Sequence, residues 1–171
     1  MKLKKKTIWI YGLSASGKSS IANALHHFLL KKNINNMVLD GDIVRKNINK
    51  DLSFSQQDRF ENIRRCSEIA KILNHAHVTV VASFITPLES HRALIKNILQ
   101  NDVLLVFLNC PIKICIQRDP KGLYKKALSG QLKTFTGISD PFEIPKNTSL
   151  IIDTSQNTIS ECVHQIIAKI T

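Results

Sequence analysis

Short apolar and β-branched runs alternate along the chain with longer stretches in which apolar residues recur every three or four positions. The first run, Thr7-Ile8-Trp9-Ile10-Tyr11, lacks polar alternation, the mark of a strand covered on both faces. Lys18 to Lys32 follows with Ile21, Leu25, Phe28 and Leu29 at helical spacing. Met37 to Asp40 reads as a second strand. Ser55-Gln56-Gln57-Asp58 has the form of a capping box and opens a long helix carrying Phe60, Ile63, Ala70 and Leu73. Val78 to Phe84, Val103 to Leu108 and Ser149 to Asp153 read as further strands, and Ile159, Cys162, Val163, Ile166 and Ile170 mark a closing helix. This alternation predicts an α/β fold, a parallel sheet with helices on both faces. From Arg118 to Pro145 the pattern lapses into Lys, Gly, Pro and Thr. That is too long for a plain loop, so a partly helical lid over about residues 118–145 is expected. With no repeat or linker, residues 1–171 are expected to form a single domain.

Composition narrows the function classes. No apolar run approaches the roughly 18 residues of a membrane span, so no membrane partner is expected. The charged start, Met1 to Lys6, resembles that of an export signal, but the apolar stretch Ile8 to Leu13 is too short for one. The four cysteines, Cys66, Cys110, Cys115 and Cys162, form no Cys-x-x-Cys pair, which speaks against zinc and redox motifs and for a cytoplasmic location. His26-His27 and His75-Ala76-His77 lack further ligands at metal spacing. The net charge of +11 raises nucleic-acid binding. The basic residues are spread out, however, dense only from Lys2 to Lys6 at a terminus expected to fray, and no aromatic-basic platform accompanies them. A polyanionic small ligand accounts for the charge without nucleic acid.

Such a ligand has an evident seat. Gly12-Leu13-Ser14-Ala15-Ser16-Gly17-Lys18-Ser19 fits G-x-x-x-x-G-K-[ST], between a strand and a helix. Glycines let the backbone curl so that successive N–H groups point at phosphate oxygens, and the helix adds its positive end. Gly12, Ser14, Ala15, Ser16, Gly17, Lys18, Ser19 and Ser20 are therefore the candidate ATP-binding residues. Lys18 would reach the β- and γ-phosphates and Ser19 would ligate Mg²⁺. A P-loop alone does not separate a kinase from a switch GTPase or a mechanical ATPase. Leu39-Asp40-Gly41-Asp42 adds two carboxylates at the end of the second strand, the edge that faces the ligand crevice in a parallel sheet.

Leu39-Asp40-Gly41-Asp42 with Arg45, Phe54-Ser55-Gln56-Gln57-Asp58-Arg59-Phe60-Glu61-Asn62, Gln117-Arg118-Asp119-Pro120-Lys121-Gly122-Leu123-Tyr124 and Phe135-Thr136-Gly137-Ile138-Ser139-Asp140-Pro141-Phe142-Glu143 together resemble the adenylylsulfate kinase family, in the family's order from about Thr7 to Thr154. The resemblance implies a P-loop kinase-like fold. It implies transfer of the ATP γ-phosphate to the 3′-hydroxyl of adenosine 5′-phosphosulfate, with Mg²⁺. By the same resemblance Asp40 is the carboxylate beside the metal and the attacking hydroxyl, so the metal pair is Ser19 and Asp40. Lys121 is a lid lysine near the transferring phosphate, and Arg118 a lid contact to the ATP base. Arg45, Arg59 and Asn62 clamp the acceptor's 5′ anionic group, and Phe54 and Phe135 wall its base. Asp42, Ile85, Thr86, Gly137 and Ile138 complete the acceptor set. Arginine suits bidentate capture of phosphate or sulfate, and stacking on aromatic rings holds a base.

One stretch departs from the family. Ile85-Thr86-Pro87-Leu88-Glu89-Ser90-His91-Arg92 stands where the family reads Ile-Ser-Pro and an arginine-rich run. Thr86 replaces a serine linked to a phosphorylated intermediate, and direct transfer needs no such role for it. Because this stretch lies near the acceptor, a second acceptor with a similar anionic tail, such as cytidine diphosphoramidate in capsule biosynthesis, stays open beside adenosine phosphosulfate. Lys18, Ser19, Asp40 and the arginines argue against a non-catalytic nucleotide-binding module. Arg64 and Arg65 are left outside the site. Family members are often dimers, so a homodimer is the implied assembly, although no stretch of the sequence marks an interface.

Overall fold

The structure is a computed structural model that describes residues 3–171; Met1 and Lys2, the start of the basic run, lie outside the described residues. Five strands form one parallel sheet: β1 (Thr7–Tyr11), β2 (Asn36–Asp40), β3 (Thr79–Phe84), β4 (Val103–Asn109) and β5 (Leu150–Asp153), in the order β2-β3-β1-β4-β5. Each boundary falls within a residue or two of the expected one.

The uninterrupted apolar character of β1 follows from its central place. Ile8 and Ile10 point to one face, where Val81, Leu104, Val106 and Leu108 pack against α1 (Lys18–Lys31) and α7 (Ile159–Ile170). Trp9 and Tyr11 point to the other, where Val80, Ala82, Leu105 and Phe107 meet α3 (Gln56–His75) and α4 (Glu89–Leu99). Strand side chains alternate between faces, so each apolar strand feeds both cores. All five residues of β1 are buried.

The remaining helices are short: α2 (Gly41–Lys46), α5 (Ile112–Arg118) and α6 (Leu123–Leu128). The lid is helical only in α6 and the end of α5. Beyond it a compact turn takes over, with the backbone N–H groups of Ile138, Ser139 and Asp140 donating to the Phe135 carbonyl at 3.1 Å and Phe135 N to Ser139 Oγ at 2.7 Å.

Two expectations are corrected. At α3 only half of the capping box forms: Ser55 Oγ accepts from Asp58 N at 3.1 Å, but the Asp58 carboxylate turns back to Ser53 N at 3.1 Å. The basic N-terminal run is tied down from Lys4 onward, by Lys4 N to the Ile170 carbonyl at 2.7 Å and a Lys6–Asp102 ion pair at 3.2 Å. No helix among the described residues is long and apolar enough to cross a membrane.

Candidate active site

Because β2 and β3 lie to one side of β1 and β4 to the other, the loop after β1 emerges at the sheet's topological switch point, where crevices open in such folds. That loop is Gly12 to Gly17. A Cβ at Gly12 would stand 2.7 Å from the Leu108 carbonyl oxygen, so only glycine fits against β4. Ala15 (φ 59°) and Gly17 (φ 97°) are left-handed and turn the backbone into α1. Tyr124 Oη of α6 donates to the Ser14 carbonyl at 3.1 Å, and Thr154 Oγ1 to the Ser16 carbonyl at 2.9 Å, bracing the loop from the lid and from the end of β5. Arg118 Nη2 donates to the Thr154 carbonyl at 2.7 Å, placing Arg118 at the flank of the same brace. Ser20 lies exposed on the first turn of α1.

Lys18 is partly buried, and its Nζ donates to the Leu13 carbonyl at 2.6 Å. Burial lowers its pKa from 10.5 to about 8, against the pull of Cys115, Asp42 and Asp40 and with a small push from Lys121. A lysine so desolvated gains most from a phosphate dianion beside it.

Asp40 ends β2. One carboxylate oxygen accepts from Asp42 N at 3.0 Å, capping α2; the other accepts from Ser19 Oγ at 2.7 Å. The two residues expected to hold a metal are therefore in contact. One hydroxyl and one carboxylate, both at the open edge, fit a hard cation such as Mg²⁺ that keeps several waters and binds phosphate oxygens. Among the described residues no three His, Cys, Asp or Glu side chains gather into an all-protein cage. Lys121 reaches from the lid to form an ion pair with Asp42, both side chains more than half exposed.

Among the residues expected to meet the acceptor, Arg45 lies over the Phe54 ring with its guanidinium carbon 4.7 Å from the centroid, and its Nη1 donates to the Ser53 carbonyl at 2.8 Å. Burial first, then the like charge of Arg59, lowers the Arg45 pKa, a placement that an anion would relieve. Phe54 is 63% exposed. Ile85 lends its carbonyl to Gly12 N at 3.3 Å, tying the loop after β3 to the P-loop. Gly137 packs on Leu13, where a Cβ would come within 2.8 Å of Leu13 Cδ2. Gly137 and Ile138 line a shallow cleft of about 520 Å³ with Leu13 and Ile112; Arg45 and Phe54 do not border it.

Three assignments change. Phe135 is not an open wall but is 8% exposed, its ring edge-on to Tyr124 at 5.0 Å in a small apolar cluster under the lid. Asn62 is buried, and its amide oxygen accepts from Asn49 Nδ2 at 3.0 Å, leaving only its amide nitrogen for an acceptor. Thr86 is 1% exposed in a left-handed conformation, with Oγ1 accepting from Trp9 Nε1 at 2.9 Å, so its hydroxyl is committed to the core. Arg64 and Arg65 pair with Glu61 and Asp51, consistent with their omission.

Sequence reasoning missed Tyr124, Thr154, Asp140 and Arg92. Arg92 is 1% exposed and donates to the Thr86, Pro87 and Glu143 carbonyls, at 3.2, 3.3 and 3.0 Å, joining the departing stretch to the lid's far end. Its neighbour His91 is also buried; burial first, then Arg59 and Arg92, pushes its pKa down to about 4. Tyr124 and Asp140 stand inside legible motifs, but nothing local in the sequence says what they touch.

A P-loop at the switch point, a hydrogen-bonded Ser–Asp pair beside it and a basic lid define a P-loop phosphotransferase of the small-molecule kinase class. The fold recurs in a gluconokinase from Sinorhizobium meliloti at 18% identity, TM-score 0.68, covering 99% of this chain and 93% of that one. The particular branch is set by closer kin: the chain belongs to the adenylylsulphate kinase family, whose model it matches over residues 4–153. It is 50% identical to the adenylyl-sulfate kinase of Pseudomonas entomophila over 161 residues, 94% of this chain and 77% of that one. The structure of the APS kinase CysC of Mycobacterium tuberculosis in complex with AMPPNP and APS is similar at a TM-score of 0.94, with 42% identity and 97% of each chain covered.

Proposed function

We propose that the protein transfers the γ-phosphate of ATP to the 3′-hydroxyl of adenosine 5′-phosphosulfate, giving 3′-phosphoadenosine 5′-phosphosulfate. The observation that carries this reading is the similarity, over 97% of the chain, to a kinase solved with AMPPNP and APS together. The backbone from Gly12 to Ser20 and the Lys18 ammonium would cradle the triphosphate, with Arg118 near the ATP base. Ser19 and Asp40 would hold Mg²⁺, which when bound neutralises phosphate charge. Phosphoryl transfer asks the protein mainly for positioning and charge stabilisation. Asp40 would orient the attacking hydroxyl and accept its proton, and Lys121 would meet the charge of the phosphoryl group in flight. Arg45, Arg59 and the amide nitrogen of Asn62 take the 5′ anion, Phe54 stacks on the base, and Phe135 supports the lid from beneath. The unit at work is one domain, residues 1–171, with a lid over about 118–145. Four free, buried cysteines support a cytoplasmic setting.

The test is competition. Equal concentrations of adenosine phosphosulfate and cytidine diphosphoramidate are offered with Mg-ATP, and products are resolved by mass. A site built to bond one base edge rejects a base that leaves its polar groups unpaired. The adenosine compound alone should gain a phosphate. Preference for the cytidine compound would remove the sulfate donor as product while leaving 3′-hydroxyl kinase chemistry in place.

A further inference from the structure

Arg59 is held by three residues at once, from the loop before α3 and from the lid. Its Nε donates to the Phe54 carbonyl at 2.8 Å, Nη1 to Thr136 Oγ1 at 2.6 Å and Nη2 to Asp140 Oδ2 at 2.7 Å. A guanidinium has five N–H donors, so one remains on each terminal nitrogen. Asp140 is delivered by the turn after Phe135, in which Gly137 N also donates to the Asp140 carbonyl at 2.8 Å. The ion pair is largely shielded, its side chains 16% and 28% exposed, so it is screened far less than a surface pair. Free arginine side chains sample many rotamers, and fixing one costs entropy that a preorganised clamp has already lost before binding.

Resting on the acceptor reading above, we propose that Asp140, with Thr136, is a positioning residue that fixes the Arg59 guanidinium for the acceptor's 5′ anionic group. The lid contributes to acceptor recognition through Arg59, because two of the three bonds that aim the clamp are bonds to the lid. The same bond set joins the clamp to Phe54 through its carbonyl, so the anion clamp and the stacking ring keep a fixed spacing. Asp140 carries the wrong sign to bind the anion itself. Its effect passes through Arg59 alone.

The experiment is a double-mutant cycle of Arg59→Ala and Asp140→Ala in the full-length protein, with adenosine 5′-phosphosulfate and Mg-ATP as probes. Asp140→Ala should raise the acceptor KM about tenfold, the effect of losing one charged partner, with the ATP KM within about twofold. In the Arg59→Ala background it should do almost nothing more, and Asp140→Asn should fall between wild type and Asp140→Ala. A merely structural role would raise the ATP KM too and act equally in both backgrounds, which would overturn the proposal. A lowered acceptor KM would also overturn it, by showing that Asp140 competes with the acceptor for Arg59. If the wild type does not phosphorylate adenosine phosphosulfate, the functional reading has failed by itself. The cycle is then read on the thermal midpoint without nucleotide, where non-additive effects keep the Arg59–Asp140 pair and additive effects discard it.

Discussion

The P-loop and the lid differ in what their distant partners do: Tyr124 and Thr154 brace a P-loop whose curl is set by consecutive residues, whereas the lid-side arginines are aimed by residues of other elements. Lys18 bonds a carbonyl five residues away, and Gly12 to Ser19 are consecutive. Arg59 bonds Thr136 and Asp140 across 77 and 81 residues, and Arg92 reaches Glu143 across 51. One half of the site is a local shape that a few residue types dictate. The other half exists only once the sheet has brought α3, α4 and the lid together. It follows that a substitution in the P-loop should strike chemistry with little effect on stability, whereas the lid side mixes recognition with folding.

The sharpest break is Lys18→Ala. The ammonium is the one basic side chain placed inside the loop, and preorganised charge of this kind supplies a large share of phosphoryl-transfer catalysis. Turnover at saturating ATP should fall on the order of 10²–10³-fold. The thermal midpoint should not drop, since a partly buried charge is removed with it. Near wild-type turnover in the purified variant would show that the cradle works without Lys18.

A smaller effect is expected from pH. In the free enzyme the Lys18 pKa, ordinarily 10.5, lies near 8, with burial as the main cause. The protonated form is the one that binds phosphate, so kcat/KM for ATP should fall as pH rises through about 8, because this ratio reports groups of the free enzyme. The sign for stability is opposite. Between about 8 and 10.5 the unfolded chain holds a proton on this lysine that the folded chain has lost, so its contribution to stability rises with pH in that window. With ATP bound, the neighbouring phosphates should move the limb seen in kcat upward. Paired pH profiles of kcat/KM and kcat measure this, and coincident limbs would mean that Lys18 does not sense the phosphates.

The same difference of range explains what the sequence disclosed. The strands were legible because each apolar run in a doubly covered sheet must avoid polar residues, as Thr7–Tyr11 does. Ser19 and Asp40 could be paired in advance through the family resemblance, and they meet because the P-loop after β1 and the end of β2, with β3 between them, open on one sheet edge. Phe135 and Asn62 could not be placed, because a residue beside charged motif positions can face inward as well as outward. Phe135 turned inward onto Tyr124, itself fully buried, and Asn62 onto Asn49. Thr86 kept a hydroxyl, but the indole of Trp9, 77 residues earlier, claims it. Asp140 and Arg92 escaped notice for the same reason, since their partners belong to other elements.

The mildest prediction probes a place where a local motif has no ligand to serve. At the start of α7, Thr158 Oγ1 accepts from Glu161 N at 3.3 Å while the Glu161 carboxylate accepts from Thr158 N at 2.7 Å. Here the box closes in both directions, unlike the one at Ser55. The bonds hold the Glu161 pKa down, the Thr158 backbone N–H first and its hydroxyl second. Thr158→Ala removes the hydroxyl and should cost about 1 kcal/mol of stability. For a domain of this length that lowers the thermal midpoint by about 2–4 °C. The helix cap is exposed and stands after Asp153 and Thr154, the latter bracing the P-loop through the Ser16 carbonyl. If the local rule holds, the cap acts on α7 alone, and KM for ATP should stay at the wild-type value while the midpoint falls. A rise in the ATP KM with the same drop in midpoint would mean that α7 and Thr154 move together, so that the Thr154 brace on the Ser16 carbonyl depends on the helix cap.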